Sequence, residues 1–131
     1  MTVVDASVWV SALSAKEAHH EASRRWLAEQ PPGLTIPALA IAEIAGAVAR
    51  TTASTQDGRR AIGLVLRTPG LRIVSVDRAV GEAAAEIASQ YRLRGADAIY
   101  VAVARLLALP LATLDQEMQE RAAPIVEIVH P

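Results

Sequence analysis

Four carboxylates interrupt stretches that are otherwise apolar or built of small residues: Asp5 in TVVDASVWV, Glu43 in ALAIAEIAGAVA, Asp97 in GADAIYVAVA and Asp115 in LATLDQEM. A carboxylate left alone among apolar side chains is expensive unless something cationic compensates it. Four together therefore point to a bound cation rather than to solvated surface charge. Hard divalent ions such as Mg2+ and Mn2+ take oxygen ligands of this kind, along with waters and phosphate oxygens.

Each acid also has a structural reading. Asp97 and Asp115 each stand where a helix begins and can serve as N-caps, and Asp5 can be an ordinary turn residue. Glu43, inside a helix between Ala42 and Ile44, cannot cap anything, so its competitor is a structural ion pair. Ser7 and Thr113 each lie two residues from an acid, where a hydroxyl can orient a carboxylate or make a local turn bond. Asp57 and Asp77 precede helices and read as N-caps. His19 and His20 share a polar helix with Glu17, Glu21, Arg24 and Arg25 and read as a solvated face. Arg92 and Arg94, just upstream of Asp97, read either as phosphate contacts or as solvated side chains.

The elements that must position these residues alternate between short β-branched runs and longer Ala-rich segments, the pattern of a parallel sheet covered by helices. Strands are expected near Thr2 to Asp5, Leu34 to Ile36, Leu71 to Ser75, Leu111 to Thr113 and Ile125 to Val129. Helices are expected from Trp9 to Leu13, Glu17 to Glu29, Ala38 to Thr52, Gly58 to Arg67, Arg78 to Arg92, Ala98 to Ala108 and Gln116 to Arg121. Asp5 then closes the first strand and Asp115 follows the fourth, both at the carboxyl edge where open α/β sheets bind their ligands. Leu39 to Val48 and Ala98 to Leu109 lack a broad polar face, so each is expected to pack on the sheet or on a partner subunit. The polar stretch from Thr51 to Gly58 is expected to be a mobile loop.

Composition bounds the rest. At 131 residues and 52% hydrophobic content, the chain suits one domain spanning 1–131, able to bury roughly two-thirds of its unfolded surface. There is no Cys, which removes thiolate metal sites and disulfides and suits a reducing, cytoplasmic setting. Asp5 breaks the first apolar run, and no apolar stretch approaches the roughly 20 residues of a membrane span, so a soluble, untargeted protein is expected. A net charge of -1 disfavours general nucleic-acid coating, yet of the 13 basic residues only Lys16 is a lysine. Arginine grips phosphates bidentately, which keeps a polyanionic substrate open. With no Phe, two Trp and two Tyr, stacking of bases on aromatic platforms is a minor contributor at most. The chain has no phosphate-binding Gly loop and no nucleophile elbow, and Ser7 stands where an aspartyl-phosphate phosphatase would place a second Asp.

VVDASVWV at the N-terminus, Glu43 in its apolar helix, ADAIYVAVA around Asp97 and the Thr113-x-Asp115 pair closely resemble the PIN domain, in particular the VapC-type toxin ribonucleases, over nearly the whole chain. The resemblance implies a three-layer α/β/α fold with a short, mostly parallel sheet of about five strands. It also implies a Mg2+- or Mn2+-dependent endoribonuclease, a homodimer, and neutralisation by a small cognate antitoxin whose tail inserts near the acidic cleft. Matched to the family's motif, Asp5, Glu43, Asp97 and Asp115 are the metal-binding catalytic set, with Ser7 and Thr113 as supporting polar residues. The residues by themselves suit the same chemistry: a cation held by the acids lowers the pKa of a water and offsets charge on a departing oxygen. Glu43 or Asp115 is then the carboxylate that positions this water or takes its proton. The rivals are a catalytically weak PIN-like module that binds RNA or a partner, and a metal-dependent phosphatase acting on small phosphate esters.

Overall fold

The computed structural model describes residues 1–131. Along the chain run β1 (Val3–Val4), α1 (Ala6–Leu13), α2 (His20–Glu29), β2 (Thr35–Pro37), α3 (Leu39–Thr52) and α4 (Thr55–Leu66). There follow β3 (Arg72–Val74), α5 (Arg78–Tyr91), α6 (Gly95–Leu106), β4 (Leu111–Ala112), α7 (Gln116–Ala122) and β5 (Ile128–Val129). The strands form one sheet in the order β3-β2-β1-β4-β5, and every pairing is parallel. The expected architecture is thus present, with the sheet wholly parallel.

Strand order fixes the layers. From β1 the chain steps to β2 and β3 in one direction, then returns past β1 to β4 and β5 in the other. Right-handed crossovers therefore put α1 to α4 on one face and α5 to α7 on the opposite face. The reversal falls between β1 and β4, the switch point at which such sheets open a crevice beyond their strand ends. Val3, Val4, Ile36, Leu111 and Ala112 are fully buried, as a sheet covered on both faces requires. The helix α6 is the central support: Ala98 and every residue from Tyr100 to Ala104 are fully buried, and α6 packs on β1, β2 and β4. Its apolar sequence is absorbed mostly within the chain, with Leu106 at its end left exposed.

The other apolar helix behaves differently. Only Ala40, Ile44 and Val48 of α3 are buried. On its outer side Ile41, Ala45 and Ala49 line an open groove of about 780 Å3 shared with Ile62 of α4. The two helices are closely packed at Gly58, where a Cβ would stand 2.8 Å from the Ala45 carbonyl oxygen. A larger residue there would force the backbones apart.

Several expected boundaries are corrected, among them α2, which begins at His20 rather than Glu17, and α6, which begins at Gly95 rather than Ala98. The stretch from Thr51 to Gly58 is not a loop but a tight helix-to-helix turn. Thr51 and Thr52 donate their hydroxyls back to the Ala47 and Val48 carbonyls, Ala53 adopts left-handed φ, and Ser54 caps α4 by accepting from the Asp57 N–H. Asp57 is therefore not the cap it was expected to be, whereas Asp77 is, accepting from Val80 N–H at 2.9 Å. The last strand shortens to two residues because Ile125 and Val126 still donate to the Ala122 carbonyl and prolong the turn after α7. The first helix begins at Ala6 rather than Trp9, directly after Asp5.

Candidate active site at the carboxyl edge of the sheet

Pairing of Val4 with Ala112 places the residues that leave β1 and β4 side by side. Asp5 leaves the first and is 5% exposed. It occupies the N-cap position of α1, yet its side chain makes no capping bond. Its Oδ2 instead accepts from Ser7 Oγ at 2.6 Å and from Thr113 Oγ1 at 2.9 Å. Both hydroxyls are oriented by backbone donors, Leu114 N–H to Ser7 Oγ and Asp115 N–H to Thr113 Oγ1, each at 3.1 Å. With an N–H aimed at each oxygen, each hydroxyl proton is left for the carboxylate. Two hydroxyls expected as supporting residues thus clamp one oxygen of Asp5 and leave Oδ1 without a side-chain donor. Burial pushes the Asp5 carboxyl above the usual carboxylate range, the two hydroxyl bonds oppose this, and the Glu43 charge adds to the rise.

Asp97 is the third residue of α6, not its cap; the N-cap position belongs to Arg94, which makes no capping bond. The cap reading of Asp97 therefore fails. Its carboxylate accepts from Arg94 Nε at 3.3 Å, while Arg94 Nη2 reaches Asp115 Oδ2 at 3.5 Å. Burial raises the Asp97 carboxyl, Arg94 pulls it down, and Asp115 and Asp5 push it up again. Asp115 does cap its helix, since Oδ1 accepts from Met118 N–H at 3.0 Å. The cap and site readings are both fulfilled there, one oxygen serving each. Asp5, Asp97 and Asp115 thus stand at the N-termini of α1, α6 and α7, where the positive ends of the helix dipoles offset their crowding.

Glu43 projects from the second turn of α3, and its Oε1 accepts from the Tyr100 hydroxyl at 2.6 Å. Tyr100 is fully buried. Desolvation, followed by the bond to Glu43, holds its phenol far above its ordinary pKa, so it stays a donor. No cationic partner accompanies Glu43, so the ion-pair reading does not hold for it. Tyr100 is the residue that the sequence did not single out, although it lies three positions after Asp97 and so faces the same way on α6. Arg94 was weighed as a phosphate contact and instead bridges two of the acids. Arg92 turns away to the Ser89 carbonyl. His20 Nδ1 lies 2.9 Å from the Ser11 carbonyl oxygen, while His19 is exposed.

Oxygen alone furnishes the donors, as hard divalent ions prefer. As the side chains stand, no three acids are close enough to hold one ion between them. Mg2+ does not ask for that: it binds through one or two carboxylates and keeps several waters. The Oδ1 of Asp5, which takes no side-chain donor, and the pair Asp97 and Asp115 already sharing one guanidinium charge, meet this requirement. The residues therefore fit a divalent cation.

A buried carboxylate clamped at the β1/β4 crevice, with three more acids around it, is the arrangement a PIN domain would have. The PIN domain family model matches residues 2–124, and the chain belongs to that family. Among solved structures, the chain is similar to VapC20 of Mycobacterium tuberculosis, a toxin that cleaves the sarcin-ricin loop, with a TM-score of 0.85 and 24% identity over 100% of both chains. It is similar to a toxin-antitoxin complex from Klebsiella pneumoniae, with a TM-score of 0.73 and 21% identity over 98% of this chain and 96% of the other. It also resembles VapBC2 of Rickettsia felis bound to promoter DNA, with a TM-score of 0.72 and 13% identity over 98% and 97% of the two chains. No curated protein sequence matches the chain significantly. No helix is long and apolar enough to cross a membrane.

Proposed function

We propose that this PIN domain is a Mg2+- or Mn2+-dependent endoribonuclease and the toxin of a type II, VapBC-like toxin–antitoxin pair. The observation that carries the reading is the convergence of Asp5, Glu43, Asp97 and Asp115 on one sheet edge, with no other nucleophile system beside them. The solved relatives that act as toxins or sit in toxin–antitoxin complexes support it, and they are the ground for proposing RNA as the substrate class and a small antitoxin as the cognate partner.

In this mechanism one or two carboxylates from among Asp5, Asp97 and Asp115 would hold the cation, with Glu43 beside it. When bound, such a cation acidifies a water and neutralises charge growing on the phosphate and the departing oxygen. Ser7 and Thr113 fix Asp5 through Oδ2, which leaves Oδ1 without a hydroxyl donor and able to serve as a ligand. Asp115 spends Oδ1 on the helix cap, which leaves it one oxygen for the site. Glu43, with Oε1 tied to Tyr100, keeps Oε2 to accept the proton of an attacking water. Glu43 is thus the better-placed base of the two acids considered.

Purified protein freed of its partner is expected to cut RNA with Mg2+ or Mn2+ and to stop in EDTA. Undiminished cleavage in EDTA would overturn the metal mechanism. RNA binding without any turnover would favour the catalytically weak module, and hydrolysis of a chromogenic phosphomonoester without RNA cleavage would favour a phosphatase.

The groove left open along α3 is apolar enough to be covered by another protein, and the reading gives it a second copy of the chain or the antitoxin. Light scattering is expected to report about twice the chain mass of 13.9 kDa. A monomer at tens of micromolar would remove the homodimer from the proposal.

A further inference from the structure

We infer that Arg50 is a positioning residue for RNA, holding a backbone phosphate next to the one that is cut. The inference rests on the ribonuclease reading above. Beside the acids lies a hollow of about 540 Å3 whose walls include Ser7, Glu43, Asp115 and Arg50. Arg50 is two turns beyond Glu43 on α3, so both side chains leave the same face of that helix. Its guanidinium folds back along α3 over Gly46: Nη1 lies 3.2 Å from the point where a Cβ on residue 46 would stand. Gly46 leaves room for that fold. A bulkier residue there would push the guanidinium outward.

The charge balance of the hollow gives Arg50 its task. Glu43 and Asp115 repel a polyanion, and Glu17 on the facing wall adds a third carboxylate. Arg94, the cation nearest the acids, is held by Asp97 and Asp115. Arg50 takes part in none of the ion pairs of the fold, which involve Arg24, Arg60, Arg78, Arg94 and Arg121. It is exposed, and His19 is the only other basic side chain lining the hollow. An unpaired guanidinium, planar and always charged, matches a phosphate in two-pronged fashion. The competing explanation is that Arg50 merely complements the dipole at the end of α3. A dipole role acts on stability and leaves RNA affinity and its salt dependence alone.

The test compares wild type, Arg50→Ala and Arg50→Lys. Binding of a labelled single-stranded RNA is followed by anisotropy in EDTA from low to high salt, and cleavage kinetics are measured with Mn2+. Loss of one phosphate contact is expected to lower the slope of log Kd against log salt by about 0.7. Arg50→Ala is expected to raise Kd and KM by about tenfold at low salt, with kcat within about twofold. Arg50→Lys keeps the charge and is expected to keep the slope while losing part of the affinity. A wild type that cuts RNA beside an Arg50→Ala variant with unchanged KM and salt slope overturns the inference. So does a variant that loses kcat alone, or one whose only change is a lower melting temperature. A wild type that neither binds nor cuts RNA fails at the earlier step and takes the inference with it.

Discussion

Asp97→Asn is expected to lower RNA cleavage by about two to three orders of magnitude, the scale on which a single preorganised electrostatic group acts, while leaving the metal-free protein at least as stable as wild type. Both halves follow from where Asp97 sits. It does not cap α6, so Asn cannot be neutral by taking over a cap. Its carboxyl pKa is raised by burial and by Asp115 and Asp5. The folded state therefore keeps the proton to a higher pH than the unfolded chain does, and above that range the charged form subtracts from stability. An uncharged amide removes this cost. The lost pair with Arg94 counts for little, because that side chain is 74% exposed. In EDTA, wild type should gain on the mutant as pH falls through the raised pKa toward the ordinary value of 3.8. In Mn2+ at about 100 times its Kd, wild type should gain about 2.7 kcal/mol and the mutant less. Melting curves under both conditions, alongside a cleavage assay, check all of this. An active mutant with an undiminished Mn2+ effect would take Asp97 out of the site.

Tyr100→Phe is expected to lower Mn2+ affinity or cleavage by about 10- to 100-fold, the usual penalty for deleting a group that orients a ligand. The hydroxyl is the one donor recorded on Glu43, at 2.6 Å, and its burial and raised pKa keep it protonated. Phenylalanine fills nearly the same volume, so no cavity opens. The stability change should stay near 1 kcal/mol, since Glu43 is partly exposed and water can replace the lost bond. Tyr91→Phe is the control, because Tyr91, the last residue of α5, packs against the core and its hydroxyl donates to no carboxylate. Titrating Mn2+ by its effect on melting temperature separates affinity from turnover. Equal behaviour of the two variants would show that the bond to Glu43 has no part in the site.

How much of this was legible in the sequence depends on the range of each interaction. The strands and the edge at which Asp5 and Asp115 gather follow from β-branched runs and their order, because a parallel sheet with right-handed crossovers has few arrangements. The clamp on Asp5 was half legible. Ser7 and Thr113 stood out by being two residues from an acid, yet only strand pairing brings residues 106 positions apart onto one oxygen. Asp115 could not be assigned by choosing between cap and site, since each of its oxygens does one. Tyr100 and Glu43 lie 57 positions apart, and neither local pattern names the other. The turn at residues 51–58 was misread because threonines bonded within their own helix and a serine cap look, by composition, like a polar loop.

The joining of β1 to β4 also sets a schedule. The clamped carboxylate leaves the first strand of the chain and receives one of its two hydroxyls from Thr113. While the chain is being synthesised, the ribosome can expose Asp5, Glu43 and even Asp97 without creating the pocket that unites them. Long-range parallel pairing has to wait for its last strand. A nascent chain stopped anywhere before Thr113 and Asp115 emerge lacks the finished acidic pocket. With Asp115 and the Thr113 hydroxyl in the working site, as proposed, the cell that makes this protein is shielded from its chemistry until both residues have left the exit tunnel.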